Sequence, residues 1–212
     1  MIGSILYNFS IFSVFLPLII GIIKVKDLEA NARLVLLIVA FASIPHIATV
    51  LNNVKSIPVF YYNSYIIVDA FFWPLVFWKI QKNQKSRKLY LLLLVFNILI
   101  VFIGVLYLGF TRNFAYQLVC INSIFQVIFV AIYFYDLSSF RQYLSLILIP
   151  TFWFSIGLLF YAPTTFFLFL FYDRINKLVV SSELNYLWEL HNFFNTFMYL
   201  MFSIGFVISK RK

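Results

Sequence analysis

Charge is what this chain has least of. Of 212 residues, 7 are Asp or Glu and 16 are Lys or Arg, so charged residues make up 11% where a soluble domain carries about a quarter. A soluble fold of this length must cover a large surface with hydrated groups, and so few charges cannot do it. Cysteine is nearly absent too. Cys120 stands alone, which excludes an intramolecular disulfide, and its place within an apolar run predicts a buried, unreactive thiol. The 6 glycines form no phosphate-binding run. No H-E-x-x-H, serine–histidine or paired-aspartate protease signature occurs. No polar stretch is long enough for a kinase, cyclase, nucleotide-binding or DNA-binding module. Any activity therefore resides among the apolar segments or passes through a partner.

What is present is apolar, at 64% of the chain, and it comes in blocks. A helix needs about 20 apolar residues to cross the hydrocarbon core. Seven such runs can be marked, at 2–23, 34–52, 57–78, 89–111, 113–135, 142–161 and 184–209. Dyad alternation of polar and apolar residues, the mark of a membrane barrel, is missing. The first run has no positive charge before it, Lys24 being the first lysine, so it reads as a retained span and not as a cleaved signal. The expected fold is all-α: a polytopic membrane protein, residues 1–212 forming one seven-span domain. Pro163 is expected to end the sixth span, because proline cannot donate a backbone bond and disfavours helix in the residue before it. Residues 164–181 would then form a loop with an aromatic segment, the competing reading being one long kinked helix.

The formal charge of +9 becomes a topology signal once the basic residues are divided between alternate loops. One side holds twelve: Lys24, Lys26 and Arg33, five within 79–88, Arg141, and Lys210, Arg211 and Lys212. The other holds four, Lys55, Arg112, Arg174 and Lys177. Positive loops stay cytoplasmic, so the N-terminus is expected outside and the C-terminus in the cytoplasm. The bases sit in short loops beside apolar runs, where attraction to anionic headgroups of the lipid bilayer explains them at roughly 1 kcal/mol each. Nucleic acid is not an expected partner. The location this implies is the bacterial cytoplasmic (inner) membrane.

Ionisable residues inside a span are costly and by default functional. Asp69 lies in the third run, Glu189 and His191 in the seventh and His46 in the second. At about 1.5 Å of rise per residue they fall roughly 9 to 16 Å below the outer ends, and Asn122 of the fifth run shares that layer. On the seventh run Trp188, His191, Asn192, Asn195 and Tyr199 follow one helical stripe, as do Tyr62, Tyr65, Asp69 and Trp73 on the third. A carboxylate among aromatic rings suits a cationic or sugar-like ligand. His46, Asp69, Trp188, Glu189, His191, Asn192 and Asn195 are the expected ligand-binding set; Asp69 reads either as paired with His46 or His191 or as a neutral, protonated carboxyl. The plainer reading is helix-to-helix hydrogen bonding, worth about 0.6 kcal/mol per bond. No cofactor and no catalytic residue is expected.

Several resemblances bear on function. Phe152-Trp153-Phe154-Ser155-Ile156-Gly157, Trp188-x-x-His191-x-x-x-Asn195 and Tyr133-Phe134-Tyr135 resemble a group of small seven-helix bacterial membrane proteins often encoded beside two-component signalling genes. That resemblance implies a receptor-like sensor or accessory subunit with a cytoplasmic signalling partner such as a histidine kinase. Ser43-Ile44-Pro45-His46, Asp69 and His191 partly resemble the alkaline ceramidase and adiponectin receptor superfamily, which implies a zinc-dependent hydrolase; Asn195 stands where that pattern has its second histidine. Ser10-Ile11-Phe12 with Ser123-Ile124-Phe125, and Ile44-Pro45 with Ile149-Pro150, are similar to the 3+1+3 repeat of SWEET-type transporters, which implies a facilitator.

Overall fold

The structure, a computed structural model, describes residues 2–52, 59–81, 83–109, 111, 114–140, 145–177 and 185–210. Among the described residues the secondary structure is helical, without strands. The elements are α1 (Ile2–Ser13), α2 (Phe15–Ile23), α3 (Ala30–Asn52), α4 (Val59–Ile80), α5 (Gln84–Leu108), α6 (Tyr116–Phe140), α7 (Pro150–Leu170), α8 (Tyr172–Lys177) and α9 (Asn185–Ile208), with a 3-10 turn at Leu146–Leu148. Five stretches are long and apolar enough to cross a membrane: Leu6–Ile23 across α1 and α2, Ala30–Ile47 in α3, all of α5, Tyr116–Ser139 in α6, and all of α7. α4 and α9 are of similar length, 22 and 24 residues, and carry Asn63, Asp69, Glu189, His191, Asn192 and Asn195.

Helix is the structure such a sequence must take in an apolar medium, because every backbone N–H and C=O has to be satisfied within its own segment. The faces of α5 show the same physics. Tyr90, Leu94, Asn97 and Val101 follow one stripe and are buried against neighbouring helices, while Leu92, Phe96, Leu99, Phe102, Ile103 and Leu106 are exposed. Along this middle part of the helix the amide is inside and hydrocarbon is outside, the reverse of a soluble amphipathic helix.

The long helices close into a ring. α9 lies between α7 and the α1–α2 rod; α2 meets α3, α3 meets α4, α4 meets α5 and α6, and α6 meets α7. The rod breaks only at Val14, where Pro17 has no N–H for the Ser13 carbonyl. The rod and α9 run parallel. At one end the Asn195 amide donates to Ser10 Oγ at 2.8 Å. At the other, Lys24 Nζ donates to the carbonyls of Phe206 (3.2 Å), Val207 and Ser209 (3.4 Å). Those carbonyls lack partners within α9, and a positive charge complements that end of the helix. α7 and α9 approach closely through Gly157 and Gly205, where a Cβ would meet the Met198 backbone and the Phe154 ring respectively. Trp73, Phe77, Tyr90, Phe129, Phe154, Phe202 and Phe206 fill the centre.

Five of the seven expected runs coincide, with shifted ends, with stretches long and apolar enough to cross a membrane, and the sixth run is corrected. It does not occupy 142–161, nor does it stop at Pro163. α7 begins with Pro150 in its first turn, where the missing N–H costs nothing, and it continues through Pro163 to Leu170. The Thr164 hydroxyl next to that proline donates to the carbonyls of Phe160 (3.1 Å) and Tyr161 (2.8 Å). The expected loop from 164 is therefore helix as far as Leu170, followed by α8; residues 178–181 lie outside the described residues. α5 starts earlier than 89, with the Asn83 side chain accepting from the Lys85 N–H at 3.0 Å. α6 runs past 135 and takes in Asp136.

Lys24, Lys26, Arg33, Lys79, Lys85, Arg87, Lys88 and Lys210 lie where α2, α4 and α9 end and α3 and α5 begin, which is one end of the bundle. The Arg87 guanidinium sits 4.4 Å from the centre of the Trp78 ring there. Lys55, Lys82, Arg112, Arg141, Arg211 and Lys212 lie outside the described residues.

Candidate functional site

A cavity of about 270 Å³ opens at the end of the bundle opposite those bases. The first turns of α4, α6 and α9, the last turns of α3 and α7, and α1 surround it. Tyr7, Ser10, His46, Tyr62, Tyr65, Asp69, Asn122, Gln126, Tyr161, Thr165, Phe169, His191, Asn192, Asn195 and Tyr199 are among its walls. Below it the aromatic core closes the floor: Trp73, one turn beyond Asp69, is buried with its ring centre 5.6 Å from that of Phe202 and 6.2 Å from that of Phe77.

Of the two readings of Asp69, pairing with a histidine is not what its hydrogen bonds show: they come from amides. Its Oδ2 accepts the Asn122 Nδ2 amide at 2.7 Å and the Gln126 Nε2 amide, both from α6. The two amides stand four residues apart and so project from one face of that helix. A third helix sets their orientation. Asn97 Nδ2 on α5 donates to Asn122 Oδ1 at 3.1 Å, which leaves the Asn122 NH₂ turned to Asp69, and it also donates to the Ala70 carbonyl at 3.3 Å. Ala70 is the residue whose carbonyl Pro74 leaves without its usual helical donor. One asparagine thus repairs the proline break and orients the amide that holds the carboxyl. Oδ1, the other carboxyl oxygen, is buried and makes no hydrogen bond of ordinary geometry. The Tyr65 and Trp73 side chains, one turn to either side, face the same carboxyl.

Five of the seven expected site residues line the cavity: His46, Asp69, His191, Asn192 and Asn195. His191 Nδ1 lies 3.4 Å from Thr165 Oγ1, with the Tyr161 ring centre 5.4 Å from its own. Trp188 and Glu189 do not line it. Trp188 packs edge-on against Phe169 and His191, behind the wall, and Glu189 is half-buried on the neighbouring face. Residues missing from the expected set are Gln126, Tyr161 and Thr165. Gln126 had a readable signal, since it repeats Asn122 one turn on. Asp136 was also missed, because the fifth run was ended at 135. It is buried near the basic end, where Ser86 Oγ donates to its Oδ1 at 3.0 Å. Cys120 is a buried free thiol, 3.7 Å from the Phe166 carbonyl oxygen.

Among the described residues no three of His, Cys, Asp and Glu come together as a metal-binding group. His46, Asp69 and His191 share the cavity without forming such a group.

The Asn97 link makes a prediction. Asn97→Leu strands the Ala70 carbonyl and Asn122 Oδ1, at about 1 kcal/mol or more for each buried group. Thermal unfolding in detergent is expected to show a clear loss of stability; an unchanged midpoint would mean that the network does not hold α4, α5 and α6 together.

No protein-family model, no curated protein and no solved structure matches this chain.

Proposed function

We propose that the chain is a receptor-like sensor subunit of the bacterial cytoplasmic membrane, seven spans with the N-terminus outside, whose outward-facing cavity takes a small ligand. The observation that carries this is the placement of the cavity at the end opposite the bases, with a held carboxyl in its wall. Positive loops are retained in the cytoplasm, which turns the cavity toward the outside. α4 and α9, outside the five most apolar stretches, are the remaining two spans, and their Asp69, His191, Asn192 and Asn195 line the cavity. Its closed floor suits a receptor, since a one-ended pocket can be filled without passage. Ligand bound between α3, α4, α7 and α9 shifts their packing only if its affinity differs between two arrangements. The basic segments at 79–88 and 210–212 would present that shift to a cytoplasmic partner such as a histidine kinase.

One observation favours a second reading, a small facilitator. Asn122, Gln126, Tyr133 and Asp136 follow one stripe of α6, leading from the cavity toward the basic end. Across that stripe lies an aromatic plug, with Phe77 ring centres 6.0 Å from Tyr90, 6.2 Å from Phe129 and 5.8 Å from Tyr133. Proteoliposomes holding this chain alone and loaded with a mixture of amines, sugars and amino acids decide between the two. The receptor reading predicts no efflux above protein-free vesicles; saturable efflux of any component would replace it with the facilitator.

A further inference from the structure

The cavity's hydrogen-bonding inventory names a ligand class, an inference that rests on the reading of the cavity as a ligand site. Asp69 is 6% exposed, so its carboxyl is withdrawn from water almost completely. Asn122 and Gln126 both donate to Oδ2, and an amide NH₂ can only donate. Oδ2 is therefore filled as an acceptor, while Oδ1 is buried and has no hydrogen bond of ordinary geometry, the Tyr65 and Trp73 side chains facing the carboxyl. A buried charge without a partner is costly. Among the described residues no Lys or Arg lines the cavity.

The rest of the wall points the same way. Ser10 and Asn195 are engaged with one another, and Thr165 with His191, so these groups are already partly committed. The surfaces left to a ligand include the rings of Tyr62, Tyr65, Phe114, Tyr161, Phe169 and Tyr199, beside His46 and Asn192. Aromatic faces attract a cation through their quadrupole, more strongly once water is excluded. An anion would find a carboxylate and no counter-charge. A neutral sugar could donate to Oδ1 yet would leave its charge uncompensated.

We infer that the cavity binds a small organic amine in its protonated form, the ammonium N–H donating to Asp69 Oδ1 and the carbon skeleton lying among the tyrosine rings. A charge-assisted bond at a buried site is substantially stronger than a neutral one. The test uses the full chain in lipid nanodiscs with three probes of matched size, phenethylamine, 2-phenylethanol and phenylacetate, and reads affinity by calorimetry. The amine is expected to bind about tenfold or more tighter than the alcohol, which is a difference of about 1.4 kcal/mol. Asp69→Asn is expected to bring the amine's affinity down to within about threefold of the alcohol's on the same variant. Equal binding of amine and alcohol, or tighter binding of phenylacetate, overturns the amine assignment and leaves the cavity a ligand site. Binding of none of the three at about 10 mM overturns both the assignment and the ligand-site reading.

Discussion

Asp69→Leu is expected to destroy ligand binding and to lower the stability of the bundle by about 2 kcal/mol, because two buried amides lose their acceptor at about 1 kcal/mol or more each. Asn122 and Gln126 are 5% and 3% exposed, so water does not readily replace the lost carboxyl. Leucine returns part of this by removing the buried carboxyl's own desolvation cost. Asp69→Asn separates the two roles. Its side-chain carbonyl can accept from both amides, so the fold is expected to stay within about 1 kcal/mol of the parent while the acceptor offered to the ligand is gone. Unfolding midpoints of the two variants, measured beside ligand binding, check the pair. Equal stability of Asp69→Leu and the parent would show that the carboxyl is not what organises α4 and α6.

Gly157→Leu is expected to cost about 3 kcal/mol or more, at or beyond the upper end of ordinary overpacking. A Cβ at Gly157 would lie 3.1 Å from the Met198 carbonyl oxygen and 3.2 Å from its Cα. Backbone cannot rotate aside, so α7 and α9 would have to separate along the seam where small residues let them meet. The cavity would open with them, since Tyr161 and Thr165 come from one of these helices and His191, Asn192 and Asn195 from the other. Gly104→Ala is the control. Its new methyl would meet only the end of the Leu118 side chain, which can move, and the expected cost is about 1 kcal/mol or less. Reversible unfolding in mixed micelles measures both; comparable losses would mean that the α7–α9 approach carries no special weight.

The apolar runs were readable because the length of a run is a local property, and so was depth along a helix. Depth arithmetic brought His46, Asp69, Asn122, Glu189 and His191 to one layer, and all of these but Glu189 line one cavity. What residue spacing along one helix cannot carry is the rotation of that helix toward another. The carboxyl could be assigned to a histidine at its level as well as to an amide at its level, and the packing of α4 on α6 brought it to Asn122 and Gln126. Trp188 belongs to the right stripe and still misses the cavity, because Phe169 stands against it. Pro163 was read as a helix end from its own chemistry, while the Thr164 hydroxyl bonds that accompany the continuing helix are a side-chain contribution.

The orientation of the cavity is tested most directly by thiol labelling. In a Cys120→Ala background, Asn192→Cys places a thiol in the cavity wall and Lys79→Cys places one at the basic end of α4. A membrane-impermeant maleimide added to intact cells is predicted to label Asn192→Cys and to spare Lys79→Cys until the membrane is opened. Labelling of Lys79→Cys from outside, with Asn192→Cys protected until lysis, would invert the topology and contradict an outward-facing ligand site.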